Sequence, residues 1–177
     1  MVDFVFRKAS RSDYEFYHNC ISCPEFYKMI YGCQKQFDIY RYIEKCDSEH
    51  KYVCCLKRND GTIETVGFVH YYKEYDDGMN FVGGISPSWF NRGLGLMACY
   101  ASIGFFFQQF PKLNLIGIVY DFNVRSVRMH TALGFKRIKE CGSSIWFKLS
   151  KEEFYSADFA RKLSDRVRFS PHGCFNR

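Results

Sequence analysis

A chain of 177 residues that is 47% apolar and 19% aromatic can bury one full core and is too apolar to be disordered. Its net charge of +6 is spread along the sequence rather than gathered into a block, which permits contact with a nucleic acid or an acidic macromolecule without requiring one. No apolar run reaches the ~18 residues of a membrane span, and Asp3, Arg7 and Lys8 interrupt the start; neither a membrane segment nor a signal peptide is expected, and the protein reads as cytoplasmic.

The nine cysteines are expected as reduced thiols, since no export signal is seen and an odd number cannot all pair within one chain. Cys20-Ile21-Ser22-Cys23 has the gap of a metal-binding pair. No second pair follows at that spacing, so no metal is expected.

In chain order, residues 4–8 predict a first strand and 10–13 a helix start. Residues 14–21 and 37–45 read as helices separated by Pro24 and Gly32. Tyr14, Phe16, Tyr17, Phe26 and Tyr27 fall in this region, an aromatic surplus that suits core packing or a flat, apolar pocket. Residues 51–57 and 62–72 predict a hairpin around Asn59-Asp60-Gly61. An acidic turn over 73–78 then leads to a fourth strand, 79–85. A turn-rich connection precedes a long apolar helix over 94–110, a buried strand over 113–120 and a helix over 124–133 that stops at Gly134-Phe135. Residues 136–139 and 144–149 predict a closing hairpin across Cys141-Gly142. Ser150 and Glu153 fit a capping box, with Phe154, Phe159 and Leu163 on one helix face.

No repeat or linker divides the chain. Residues 1–150 form one domain, and 151–177 a helical extension and loose tail of it, with 170–177 the loose part. The extension packs on the sheet or on a partner subunit, which allows a homodimer.

The segment Asn91-Arg92-Gly93-Leu94-Gly95 lies between a strand and a helix. Glycines at alternate positions let backbone amides approach a ligand, and the first turn of a helix leaves donors without intrahelical partners. Arg92 adds a permanent charge, so the element suits a phosphate or pyrophosphate. The same glycines also suit a plain tight turn.

The whole arrangement resembles the GNAT acyltransferase superfamily, whose members use acetyl-coenzyme A (acetyl-CoA). Phe90-Asn91-Arg92-Gly93-Leu94-Gly95 matches the family's Gln/Arg-x-x-Gly-x-Gly/Ala loop, with Phe90 in place of Gln or Arg. Asn123-Val124-Arg125-Ser126, running to Gly134-Phe135, matches its Asn-x-x-Ala/Ser segment closing on Gly-Phe. The resemblance implies an α+β fold: a single GNAT-like domain with a central mixed, mostly antiparallel twisted sheet, flanked by helices, with a V-shaped splay between strands 4 and 5.

It also implies acetyl-CoA as co-substrate, held by Ile85, Ser86, Asn91, Arg92, Gly93, Leu94, Gly95, Leu96, Asn123 and Ser126. The acetyl group would pass by direct attack to a primary amine: a protein N-terminus or lysine, an aminoacyl-tRNA or a small amine. His130 stands where many members carry a tyrosine that acts as general acid. It lies two turns after Asn123 on nearly the same face, with an ordinary pKa of about 6.5. Tyr100 and Tyr120 are substitutes. The fourth strand has no carboxylate, so Glu74, Asp76 and Asp77 before it, and His70, are the candidate bases. Gly83-Gly84-Ile85 suits a bulge that turns a backbone amide toward an oxyanion. Two other readings stay open: a GNAT fold that has lost catalysis and serves as a coenzyme A-binding or interaction module, and a zinc-stabilised nucleic-acid binder using Cys20 and Cys23.

Overall fold

The computed structural model describes residues 1–32, 50–75 and 77–171, without the side chains of Tyr31 and residues 73–75. The helix expected over 37–45 lies outside these residues, as does Asp76.

Alternating burial in the first strand, β1 (Val2–Lys8), sets up both layers of the molecule. Phe4 and Phe6 enter one core and Val5 the other, as the period of two demands of a strand buried on both faces. A short 3-10 turn follows, where Asp13 forms an ion pair with Arg7 at 2.6 Å and accepts from the Ser10 backbone. Two helices come next, α1 (Tyr14–Ile21) and α2 (Pro24–Tyr31).

The second helix departs from the expectation that Pro24 and Gly32 lie between helices. Pro24 is at the first helical position, where its missing N–H costs nothing, and Gly32 closes the helix at φ 66°. Both residues are therefore boundaries of a helix.

Strands β2 (His50–Lys57), β3 (Ile63–Tyr75) and β4 (Gly78–Ile85) form an antiparallel meander. The third strand runs on to Tyr75, absorbing much of the expected acidic turn. Helix α3 (Leu94–Gln109) is buried nearly all round, as expected of a helix with no polar face. Phe105 stacks on Phe6 with ring centroids 4.6 Å apart, and the Tyr71 hydroxyl donates to the Ser102 carbonyl at 2.6 Å. Then come β5 (Asn114–Tyr120), α4 (Val124–Ala132), β6 (Lys136–Cys141) and β7 (Ser144–Leu149).

The C-terminal region also departs from expectation. It forms two short helices, α5 (Lys151–Ser156) and α6 (Asp158–Ser164), broken at the extended Ala157, and then a strand, β8 (Val167–Pro171). Ser150 and Glu153 do form the capping box. The new strand pairs parallel to β1 at the sheet edge, the place where a strand ending in proline is tolerated. Ser170 therefore belongs to the sheet, and 172–177 lie outside the described residues.

The eight strands run β6-β7-β5-β4-β3-β2-β1-β8. Among the described residues only β4–β5 and β1–β8 are parallel. The larger core lies between the sheet and α3, α5 and α6, and a smaller one, around Tyr17, Cys20, Phe26 and Phe68, lies under α1 and α2. Among the described residues no helix is long and apolar enough to cross a membrane.

Candidate active site

Two parallel neighbours part company to make the site. β4 pairs with β5 only from Gly78↔Asn114 to Phe81↔Gly117, while β5 stays joined to β7 through Tyr120. On its other side β4 keeps unbroken register with β3 from Lys73↔Met79 through Gly67↔Ile85. The opening therefore needs no bulge at Gly83-Gly84-Ile85; the irregularity in this pair lies at Lys73/Tyr75.

Strand alternation then fixes which amides face the opening. Ser86 N–H donates to Val66 of β3 at 2.7 Å, so the N–H groups of Gly83 and Ile85 point to the opposite side, where β5 has left. A cavity of about 710 Å³ occupies the opening and extends to both faces of the sheet. Phe26, Met29 and Ile30 of α2 line it on one face, and Gly93 before α3, Gly95 and Leu96 of α3, and Ser126 and Met129 of α4 on the other.

The start of α3 is built to meet an anion. Gly93 adopts φ 74°, and a Cβ added there would project into open space. No side chain caps this helix and its first turn has no acidic residue, which leaves its leading N–H groups for a ligand. At Gly95 a Cβ would come 3.5 Å from Ile85 Cδ1, so the bare glycine keeps a gap between the helix and the end of β4. Asn91, at φ 60°, accepts a hydrogen bond from Arg125 Nη1 at 3.0 Å. Arg92 lies over the Trp89 ring, 5.1 Å from its centroid. Backbone donors, two guanidinium groups and an uncrowded approach fit a pyrophosphate-bearing ligand such as a coenzyme A thioester.

A family model described as an acetyltransferase (GNAT) domain matches residues 3–136. The chain belongs to the GNAT family. No curated protein matches it by sequence. Solved structures similar to it include the GNAT-family acetyltransferase from Bacillus anthracis, at 19% identity and TM-score 0.68, covering 84% of this chain and 95% of that one. AAC(6')-Ib in complex with paromomycin and acetyl-CoA is similar at 13% identity and TM-score 0.69, covering 88% and 98%. A spermidine N-acetyltransferase SpeG chimera from Vibrio cholerae and hSSAT is similar at 12% identity and TM-score 0.67, covering 86% and 98%. These likenesses show the GNAT fold, whose splay between strands 4 and 5 is the opening described above.

Of the residues expected to hold the cofactor, Ile85, Asn91, Gly93, Gly95, Leu96, Asn123 and Ser126 line the cavity. Ser86, Arg92 and Leu94 belong to the same strand-loop-helix connection. Asn123 caps α4, its Oδ1 accepting from Ser126 N–H at 3.2 Å, while its Nδ2 donates to the Met29 carbonyl at 3.4 Å. That single side chain ties α2 to α4 across the opening.

The expected catalytic residues are placed differently from one another. His130 lines the cavity but is only 4% exposed, packed against Phe81, Phe135 and Phe147. Its Nδ1–H donates to the Ser126 carbonyl at 2.8 Å. Burial lowers its pKa to about 4, so near neutral pH the ring carries no proton to give from Nε2, and a general-acid role does not fit this environment. Tyr120 stacks on Phe122 and covers Gly32, where a Cβ would meet its ring at 2.6 Å; it does not line the cavity. Tyr100, on α3, packs between Phe154 and Phe169 and does not line the cavity.

The acidic candidates also lie away. Asp77 is exposed and paired with Lys148 Nζ at 2.6 Å. Glu74 occupies the far end of β3, opposite the start of β4, about 15 Å along the strand from Gly83; its side chain is outside the described residues. His70 is buried on β3 across from Val82, outside the lining. Among the described residues no three His, Cys, Asp or Glu side chains converge as metal ligands would. Burial pushes the Cys20 thiol up to about 11, so it stays protonated.

Phe26 belongs to the aromatic surplus expected to suit a pocket, but the helix that carries it, α2, and its Glu25 are absent from the sequence expectations. Glu25 is the carboxylate of the lining among the described residues, and Phe26 stacks with Phe90 at 6.3 Å, the rings 18° from parallel. The change from Gln or Arg to Phe90 thus builds an aromatic wall. The signal for this helix was present in Pro24-Glu25, a proline and an acidic residue in its first turn.

Proposed function

We propose that this protein is an N-acetyltransferase that uses acetyl-CoA and acts on a primary amine by direct attack. The observation that carries the reading is the opening between β4 and β5, entered from both faces and lined by backbone amides. The acetyl-CoA and coenzyme A complexes of AAC(6')-Ib support the choice of cofactor. When bound, acetyl-CoA supplies an activated acetyl thioester.

The first turn of α3, with Arg92 and Arg125, would hold the pyrophosphate, and Ile85, Leu96 and Ser126 would line the path inward. The amides of Gly83 and Ile85 present donors where negative charge develops on the thioester oxygen. From the opposite face Glu25 receives the amine. A lysine-like amine, of pKa about 10.4, is neutral to about one part in two thousand at pH 7. Glu25 accepts its proton, and the apolar walls disfavour its charged form. The Phe26–Phe90 wall and a lining with one carboxylate among the described residues favour an amine with an apolar or aromatic body over a polycation.

The absence of a phenol or protonated imidazole from the lining, among the described residues, favours a second reading: a coenzyme A-binding module without turnover. Thiol release on a panel of amines decides between them. The enzyme reading expects turnover, and a Glu25→Gln variant with kcat/KM lowered about a hundredfold but unchanged acetyl-CoA affinity. Binding without turnover on every amine would select the module.

A further inference from the structure

The cavity does not stop at the opening of the sheet. It continues beneath α3, over Gly83 on β4, Val69 on β3 and Cys54 on β2, with Ala98, Cys99 and Ser102 above. Adjacent strands spaced at about 4.8 Å carry this floor roughly 10 Å sideways from β4 to β2. Among the described residues these walls carry no charged side chain. Ser102 turns its hydroxyl back onto the Ala98 carbonyl at 2.8 Å, and burial pushes the Cys99 thiol up to about 12 and that of Cys54 well above its ordinary value. Water in such a space finds few partners, whereas a hydrocarbon chain meets small apolar groups on every side. An acetyl group held at the Gly83 and Ile85 amides would leave this extension unused.

We propose that the site takes, besides acetyl, straight saturated acyl groups on the order of six carbons, at ~1.5 Å per bond, with the chain lying under α3 between Ala98, Cys99 and Ser102 and the sheet. The inference rests on the reading of the opening as a coenzyme A thioester site and extends only the acyl group. The transfer itself is unchanged. The amine nitrogen bonds to the acyl carbon, the carbon–sulfur bond breaks, and the departing thiol gains, in net, the proton the amine loses.

Calorimetric titration of acetyl-, butyryl- and hexanoyl-coenzyme A into the full chain, with coenzyme A as control, tests it. Each methylene moved from water into an apolar wall is worth up to about fourfold in affinity, so hexanoyl-coenzyme A is expected to bind at least about tenfold tighter than acetyl-coenzyme A. Cys99→Phe, and the milder Ala98→Val should the first not fold, are expected to abolish that advantage while acetyl-coenzyme A still binds. Hexanoyl-coenzyme A binding no tighter than acetyl-coenzyme A, or folded variants that keep the advantage, would overturn the proposal and leave the cofactor reading standing. Silence from every thioester and from coenzyme A would overturn both.

Discussion

The loop that opens α3 and the corner that holds His130 line one cavity and are built in opposite ways. The loop offers backbone: Gly93 in the left-handed region with open space beyond it, uncapped amides, and Arg92 and Arg125 close by. The corner offers side chains: an imidazole enclosed by three phenylalanines, its Nε2 so close to Gly117 that a Cβ there would stand 2.8 Å away. The difference teaches that the cavity has a wet end suited to phosphate and a dry end where charge is expelled. In the dry end His130 positions α4 against β4 and β5, its hydrogen bond to Ser126 and its ring contacts fixing the helix.

The largest expected effect tests how dry the corner is. His130 has a folded pKa of about 4 against an ordinary 6.5. The unfolded chain takes up a proton between these values that the folded chain refuses, so stability present above pH 6.5 is lost as pH falls toward 4, by about 3 kcal/mol. Urea unfolding between pH 7 and pH 4 should show this loss, and His130→Phe should remove that part of the slope. Equal slopes in the two proteins would mean the corner admits water and the contrast with the loop is false.

A pair of glycine substitutions sharpens the comparison. Gly117→Ala forces a Cβ against His130 and to 3.3 Å from the Phe81 ring, and should cost about 1–3 kcal/mol of stability. Gly93→Ala meets nothing within 4 Å and should cost only the left-handed conformation, about 1 kcal/mol. Denaturant midpoints measure both; a reversed order would contradict the assignment of open and closed ends. An effect no larger, read in binding rather than stability, is that of Arg125→Ala, which frees Asn91. It should weaken coenzyme A about fivefold, or about 1 kcal/mol, with the unfolding midpoint unchanged.

The contrast also explains what the sequence made legible. The loop could be read because backbone-built sites announce themselves through glycine and through the order strand, loop, helix. The splay followed from the family resemblance. The state of His130 could not be read, because its position on the helix is local while the phenylalanines that dry it come from β4, β7 and the turn after α4. The aromatic content of the α2 wall is legible, Phe26 included, but its helix is not, because a proline that begins a helix and one that breaks it look alike without the neighbouring turn. β8 was missed because a five-residue strand ending in proline has too short a pattern to declare itself without the β1 edge it completes. Glu25 was missed with its helix, and a search for a base confined to β3 and β4 therefore settled on Glu74, a strand's length away.

The most direct test of the central claim is calorimetric titration of acetyl-CoA into the protein beside Gly93→Asp and Gly95→Asp. An aspartate at either position adds negative charge where the first turn of α3 should meet a pyrophosphate. Micromolar binding to the unaltered protein is expected, with a loss of at least about a hundredfold, roughly 3 kcal/mol, in both variants, each still unfolding cooperatively. No heat of binding to the unaltered protein at high micromolar concentrations, or variants that bind as it does, would contradict the placement of the cofactor in this opening.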